Sequence, residues 1–138
     1  MLYQTSATAS AGRQGHVATD DQLLSVDLAY PKQMGGAGNA TNPEQLFAAG
    51  YAACFSNAVL FIASQQKIKL SQAPVTANVG LYNKEDGGFA LNVALAVELD
   101  LPQQQASELV TTAHQVCPYS NAIKGNIEVA LTVNGQPL

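Results

Sequence analysis

Cys54 and Cys117 are the only cysteines in this 138-residue chain. Their residue type allows four kinds of chemistry. As buried core residues they would be inert small hydrophobes. As a structural disulfide they would need an oxidising compartment. As metal ligands they could be joined by His114 and His16, with His114 and Cys117 three apart and able to share a helical face. A Cys2His2 zinc set usually shows close ligand pairs, and Cys54 and His16 have none nearby. As a working dithiol they would need a thiolate former, a positive group to lower its pKa, and a second thiol to resolve the oxidised sulfur.

Positive groups are scarce. Lys32, Lys67, Lys69, Lys84 and Lys124 account for all but one of the six basic residues, and Arg13 is the sole arginine. A guanidinium can be held by a carboxylate on one edge and still donate from another, which an ammonium does poorly. Phe47, Tyr51, Phe55, Phe61 and Tyr119 flank the two cysteines in sequence and are candidates for the apolar walls of a pocket or for ordinary core. The glycines of the Gly35–Gly38 stretch suit a mobile lid or a packing turn. They are not a phosphate cradle, because the Lys-Ser/Thr element is missing.

Length and composition fit a single domain over residues 1–138 with a substantial core. A net charge of −4 excludes a basic nucleic-acid footprint. The opening residues lack a basic region followed by an apolar run, so no secretory signal is expected. Gly50, Ser56 and Asn57 interrupt the most apolar stretch, Leu46–Ile62, so no membrane span is expected either. The default compartment is the reducing cytoplasm, which disfavours a lasting disulfide and permits a transient one.

These side chains must be positioned by a small set of elements. Tyr3–Ser10 and Leu23–Ala29 read as strands, with a turn at the GRQGH segment between them. Residues 31–40 form the clearest loop. A long helix should start at Thr41 or Asn42 as cap, with Pro43 in the first turn and Glu44 at the positive end of the dipole, and run to about Gln66. Leu46, Phe47, Gly50, Ala53, Cys54, Ala58, Phe61 and Ile62 recur along it at helical spacing. It is apolar nearly all round and thin in Ala and Gly, the mark of a buried helix. Val75–Tyr82 and Phe89–Leu99 read as a hairpin joined at residues 83–88. Pro102–Val116 reads as a second helix with Ala106, Leu109, Val110, Ala113 and Val116 on one face, ended by Pro118. A short turn or helix over Ser120–Lys124 leads to a last strand, Ile127–Val133. The class is α+β with segregated elements rather than an alternating parallel sheet.

The order of motifs resembles one known family. GR.G with a following strand, then GGAG…TNPEQLFAAGYAACF, then VCPYSNA.KGNI.V resembles the organic hydroperoxide resistance branch of the Ohr/OsmC family over almost the whole chain. The resemblance implies an OsmC-like fold, with antiparallel-rich sheets wrapped around a long buried central helix, and an intertwined homodimer. It implies a thiol peroxidase in which Cys54 attacks the organic hydroperoxide and becomes a sulfenic acid. Cys117 then condenses with it to a disulfide. By the same pattern Arg13 stabilises the thiolate and polarises the peroxide, and Glu44 fixes the guanidinium. His16 stands where members often carry another basic residue. The implied reductant is a lipoyl dithiol, dihydrolipoamide or a lipoylated protein, with no bound cofactor.

Helix geometry adds one expectation. Glu44 and Cys54 are ten residues apart on the expected helix, hence about 15 Å apart along its axis and about 80° apart in direction. If all four residues form one site, Arg13 and Glu44 come from a second subunit. Two other functions use the same residues: a redox sensor that passes its disulfide on, and a non-enzymatic carrier of small apolar ligands.

Overall fold

The computed structural model describes residues 1–138, which divide into two compact units, Met1–Leu46 and Phe47–Leu138. The fold is mixed α+β, with two separate sheets and three helices.

The first unit carries an antiparallel three-stranded sheet of β1 (Ala7–Ser10), β2 (His16–Thr19) and β3 (Ser25–Asp27). Strand β2 begins at His16, the last residue of the expected turn, in a segment whose small and polar residues give little alternation. A 3-10 turn at Gly12–Gln14 joins β1 to β2 and carries Arg13. His16 pins the β2–β3 pair, its Nδ1 2.8 Å from Asp27 Oδ1 and its Nε2 2.9 Å from Ser25 Oγ. The glycine-rich stretch is a folded turn rather than an open loop. Gly36 N–H donates to the Pro31 carbonyl and Gly38 N–H to that of Tyr30. A Cβ on Gly36 would stand only 2.1 Å from the Tyr30 carbonyl oxygen, so a side chain does not fit there.

Helix α1 (Pro43–Gln65) starts where the sequence places it. Asn42 is the cap, accepting from the Gln45 amide at 2.9 Å, and Pro43 holds the first helical position, where its missing N–H costs nothing. The burial of α1 differs from expectation. Tyr51, Phe55, Ala58, Val59, Ile62 and Ala63 are buried, whereas Ala53 is exposed and Phe61 is 53% exposed. A helix apolar on every side has no sequence phase, so packing chose the face. By length and composition alone α1 is long and apolar enough to cross a bilayer, a test that a buried core helix also passes. The buried face of α1 belongs to the core of the second unit.

That core also receives alternate residues of β5, Val93, Leu95 and Val97, and one face of α2, Ala106, Leu109, Val110 and Ala113. The second sheet has the order β4 (Val75–Asn83), β5 (Phe89–Val97), β6 (Val129–Val133), β7 (Gln136–Pro137). The β4–β5 hairpin is antiparallel, as expected, but β5 and β6 run parallel. A parallel pair needs a crossover. Here α2 (Gln103–Val116) and α3 (Pro118–Ile123) supply it, with Cys117 at their junction. Val116, expected on the core face of α2, is 43% exposed, and Cys117 occupies the buried position after it.

Candidate functional site

Each unit contributes one pair of the expected residues. In the first unit Arg13, held by the 3-10 turn, meets Glu44 in the first turn of α1. The pair is a two-pronged fork: Arg13 Nη1 donates to Glu44 Oε2 at 2.7 Å and Nη2 to Oε1 at 2.5 Å. Two parallel charge-assisted bonds fix the guanidinium plane as one bond cannot. The Arg13 guanidinium holds the Glu44 carboxyl below the usual carboxylate range, so the pair is ionised.

In the second unit Cys54 and Cys117 are both free thiols, their Sγ atoms 3.8 Å apart. Cys54 projects from α1 and is half-buried, while Cys117 is fully buried. Pro118 explains the position of Cys117. Proline at the first position of α3 disfavours helical backbone in the residue before it. Cys117 accordingly adopts φ −61°, ψ 124°, which breaks the crossover into two helices at the sulfur. Burial pushes the Cys54 thiol pKa up. The backbone N–H of Tyr119, hydrogen-bonded to Cys54, works the other way, and the neighbouring Cys117 again raises it. None of these influences supplies a positive charge.

Four of the five aromatic candidates form one cluster, and the exposed Phe61 is not part of it. Tyr51 lies with ring centroids 6.0 Å from Phe47, 6.4 Å from Phe55 and 5.7 Å from Tyr119. Tyr51 and Phe55 are fully buried and serve the core; Tyr119 keeps an exposed face. Gly50 makes room for Tyr119, because a Cβ there would come within 2.8 Å of its hydroxyl oxygen.

Two residues escaped the sequence reading. Ser120 Oγ is 2.7 Å from Tyr51 Oη and 2.9 Å from His114 Nδ1, so one buried hydroxyl joins α1, α2 and α3. His114 drew notice only as a metal ligand, and its Nδ1 faces this serine instead. Burial, helped by Lys124, holds the His114 pKa below its ordinary value and favours the neutral ring. Ser120 lies inside the VCPYSNA segment, but nothing in that segment says which side chains its hydroxyl will meet.

Two free thiols in contact on a helix-and-crossover scaffold mark the site, and comparison with known proteins supplies the family. The chain belongs to the OsmC-like protein family, whose model matches residues 36–132. Within that family it sides with the organic hydroperoxide resistance proteins. It is 46% identical over 136 residues to the organic hydroperoxide resistance protein of Xanthomonas axonopodis pv. citri, covering 96% of this chain and 95% of that one. A Vibrio cholerae organic hydroperoxide resistance protein, solved with captopril in one of its active sites, superposes with a TM-score of 0.98 at 63% identity. That match covers 100% of this chain and 96% of the other. A Legionella pneumophila organic hydroperoxide resistance protein gives 0.93 at 54% identity, covering 96% and 98%.

Proposed function

We propose that the protein is a thiol-dependent peroxidase that reduces organic hydroperoxides to alcohols. The contact at 3.8 Å between a half-buried and a fully buried thiol carries this reading. The Cys54 thiolate attacks one peroxide oxygen and the O–O bond breaks. The alkoxide takes up a proton and leaves as alcohol, and Cys54 becomes a sulfenic acid. Cys117 then forms the S–S bond as its proton departs with the sulfenic hydroxyl as water. A dihydrolipoyl-type dithiol, free or on a lipoylated protein, restores both thiols by exchange. The reducing cytoplasm suits that cycle. The exposed side of Tyr119 and the adjoining Phe47 favour bulky apolar peroxides over hydrogen peroxide.

Cys54 needs a cation to become a thiolate at neutral pH. We assign that role to the Arg13–Glu44 fork of a second copy in a homodimer with two composite sites. The continuous helix α1 supports the assignment, since it keeps Glu44 and Cys54 of one chain about 15 Å apart along its axis. The exposed stripe Ala49, Ala53 and Asn57 leaves one side of α1 open for close packing of the copies.

Peroxide consumption coupled to lipoamide, lipoamide dehydrogenase and NADH tests the activity, with cumene hydroperoxide set against hydrogen peroxide. Cys54→Ser abolishes turnover. Fresh reduced protein that consumes no peroxide refutes the reading, and a single oxidation without turnover marks a sensor. Subunit mixing tests the composite site. Arg13→Ala and Cys54→Ser proteins, each inactive alone, regain about a quarter of wild-type activity when their subunits exchange freely. No recovery after proven exchange places Arg13 in its own chain's site.

A further inference from the structure

The hydroxyl of Ser120 links elements on both sides of the cysteine pair. His114 and Ser120 lie three residues before and three after Cys117, and Tyr51 lies three residues before Cys54. The hydrogen bonds Tyr51···Ser120 at 2.7 Å and Ser120···His114 at 2.9 Å thus close a loop around the buried thiol and tie it to the attacking cysteine's helix. Ser120 and the hydroxyl of Tyr51 are buried polar groups in an otherwise apolar core of the second unit. An apolar residue would fill such a place at no polar desolvation cost.

From this juxtaposition we propose that Tyr51, Ser120 and His114 are positioning residues that hold Cys117 at striking distance of Cys54 and set the rate of disulfide closure. The proposal rests on the peroxidase reading above. The step concerned is the condensation of the Cys54 sulfenic acid with the Cys117 thiol, which forms one S–S bond, breaks the S–O bond and releases water. The Sγ atoms must close from 3.8 Å to about 2.05 Å. Cys117 heads a break between two helices, and its backbone is anchored only by its own N–H to the Ala113 carbonyl and its carbonyl to the Asn121 N–H. Those two bonds fix the helix ends but not the approach of the α2–α3 corner to α1. Shared apolar packing brings the corner against α1, and the hydroxyl bridge adds the directional bonds that set its exact approach. Misplacement by about 1 Å can slow a reaction as much as a hundredfold, so a modest loosening of the corner suffices to matter. The attack on peroxide uses the Cys54 sulfur with its cation and the Tyr119 amide, and the Cys117 sulfur takes no part in it.

The test separates the two chemical steps in the full-length protein. Reduced wild type and Ser120→Ala are mixed with cumene hydroperoxide. Peroxide loss reports the first step, and dimedone capture of Cys54 sulfenic acid against time reports the second. In Ser120→Ala the first step stays within about twofold while closure slows about tenfold, the scale of one lost hydrogen bond. The peroxide concentration that drives Cys54 to sulfinic acid falls by a like factor, and Ser120→Thr, which keeps the hydroxyl, restores closure. Should Ser120→Ala not fold, the ratio of the two steps in Tyr51→Phe decides the matter, since that change removes only an oxygen. Closure at the wild-type rate overturns the proposal. So does equal slowing of both steps, which makes Ser120 a general support of the fold. Wild type that neither consumes peroxide nor yields a Cys54 sulfenic acid sinks the peroxidase reading instead, whereas wild-type turnover with unaltered closure in the variants removes the positioning role alone.

Discussion

The sulfurs of Cys54 and Cys117 stand 3.8 Å apart and unbonded, one on the central helix and the other at the break in the crossover. The arrangement makes the two thiols unequal. Cys54 has a side open to its surroundings, and Cys117 has none.

Oxidation with one equivalent of organic hydroperoxide therefore removes both thiols within a single chain. Non-reducing gel electrophoresis shows no covalently linked pair of chains, and peptide mapping recovers a Cys54–Cys117 disulfide. Cys117→Ser keeps the first reaction but accumulates sulfenic and then sulfinic acid at Cys54. Disulfide-linked chains from the wild type contradict this assignment.

On the composite-site proposal, Arg13 and Glu44 act through the fork geometry rather than through charge alone. Arg13→Lys keeps the charge and loses the two-pronged pairing, and Glu44→Gln leaves a guanidinium with a weaker guide. Each lowers kcat/KM for cumene hydroperoxide by roughly ten- to a thousandfold, the range set by loss of an electrostatic stabiliser. Each also raises the pH at which Cys54 alkylates with iodoacetamide. Unchanged alkylation in both variants removes Arg13 from the thiolate's surroundings.

Gly50→Ala pits helix propensity against space. Alanine gains about 1 kcal/mol over glycine within a helix. The new methyl meets Tyr119 Oη at 2.8 Å and Cε2 at 3.2 Å, the far end of a side chain that can swing outward. Thermal melting therefore changes little. The Tyr119 amide, which supports Cys54, shifts with the ring, and peroxidase activity falls about tenfold. Full activity with unchanged stability shows that the ring yields without disturbing the sulfur.

Of the groups with depressed pKa values, His114 and Glu44 keep the least solvent contact and bear most on the acid limb of stability. His114 titrates lower in the folded chain than its ordinary 6.5, first through burial and then through Lys124. Its contribution is complete above about pH 6.5 and is lost as pH falls through the lower folded value. Glu44, lowered first by its bond from Arg13, behaves likewise from about pH 4.5 downward. Urea melts against pH show the loss in two stages. Glu44→Gln flattens only the more acidic one and His114→Gln only the milder one. Both effects are modest, since each group keeps some solvent contact.

Much of this was legible in the sequence because its signals are local. The Asn42–Pro43–Glu44 start of α1, the β4–β5 hairpin and the Pro118 break need only neighbours in the chain to take effect. The face of α1 was not legible, since residues apolar on all sides carry no direction and the core alone chose Tyr51 and Phe55 over Ala53 and Phe61. Strand β2 and the parallel pairing of β5 with β6 were missed for a related reason. Pairing partners lie far along the chain, and short strands of small residues announce neither themselves nor their direction.

By itself, then, the sequence determined that two cysteines, one arginine and one first-turn glutamate are set in separate, recognisable segments. Tertiary structure decided what they meet. Arg13 and Glu44 lie 31 positions apart and the cysteines 63, and only folding brings each pair into contact. It also decided that the serine of the VCPYSNA segment joins three helices around the cysteine pair. Hydrogen bonds and sulfur contacts act over a few ångströms in space, whereas sequence patterns record only distance along the chain.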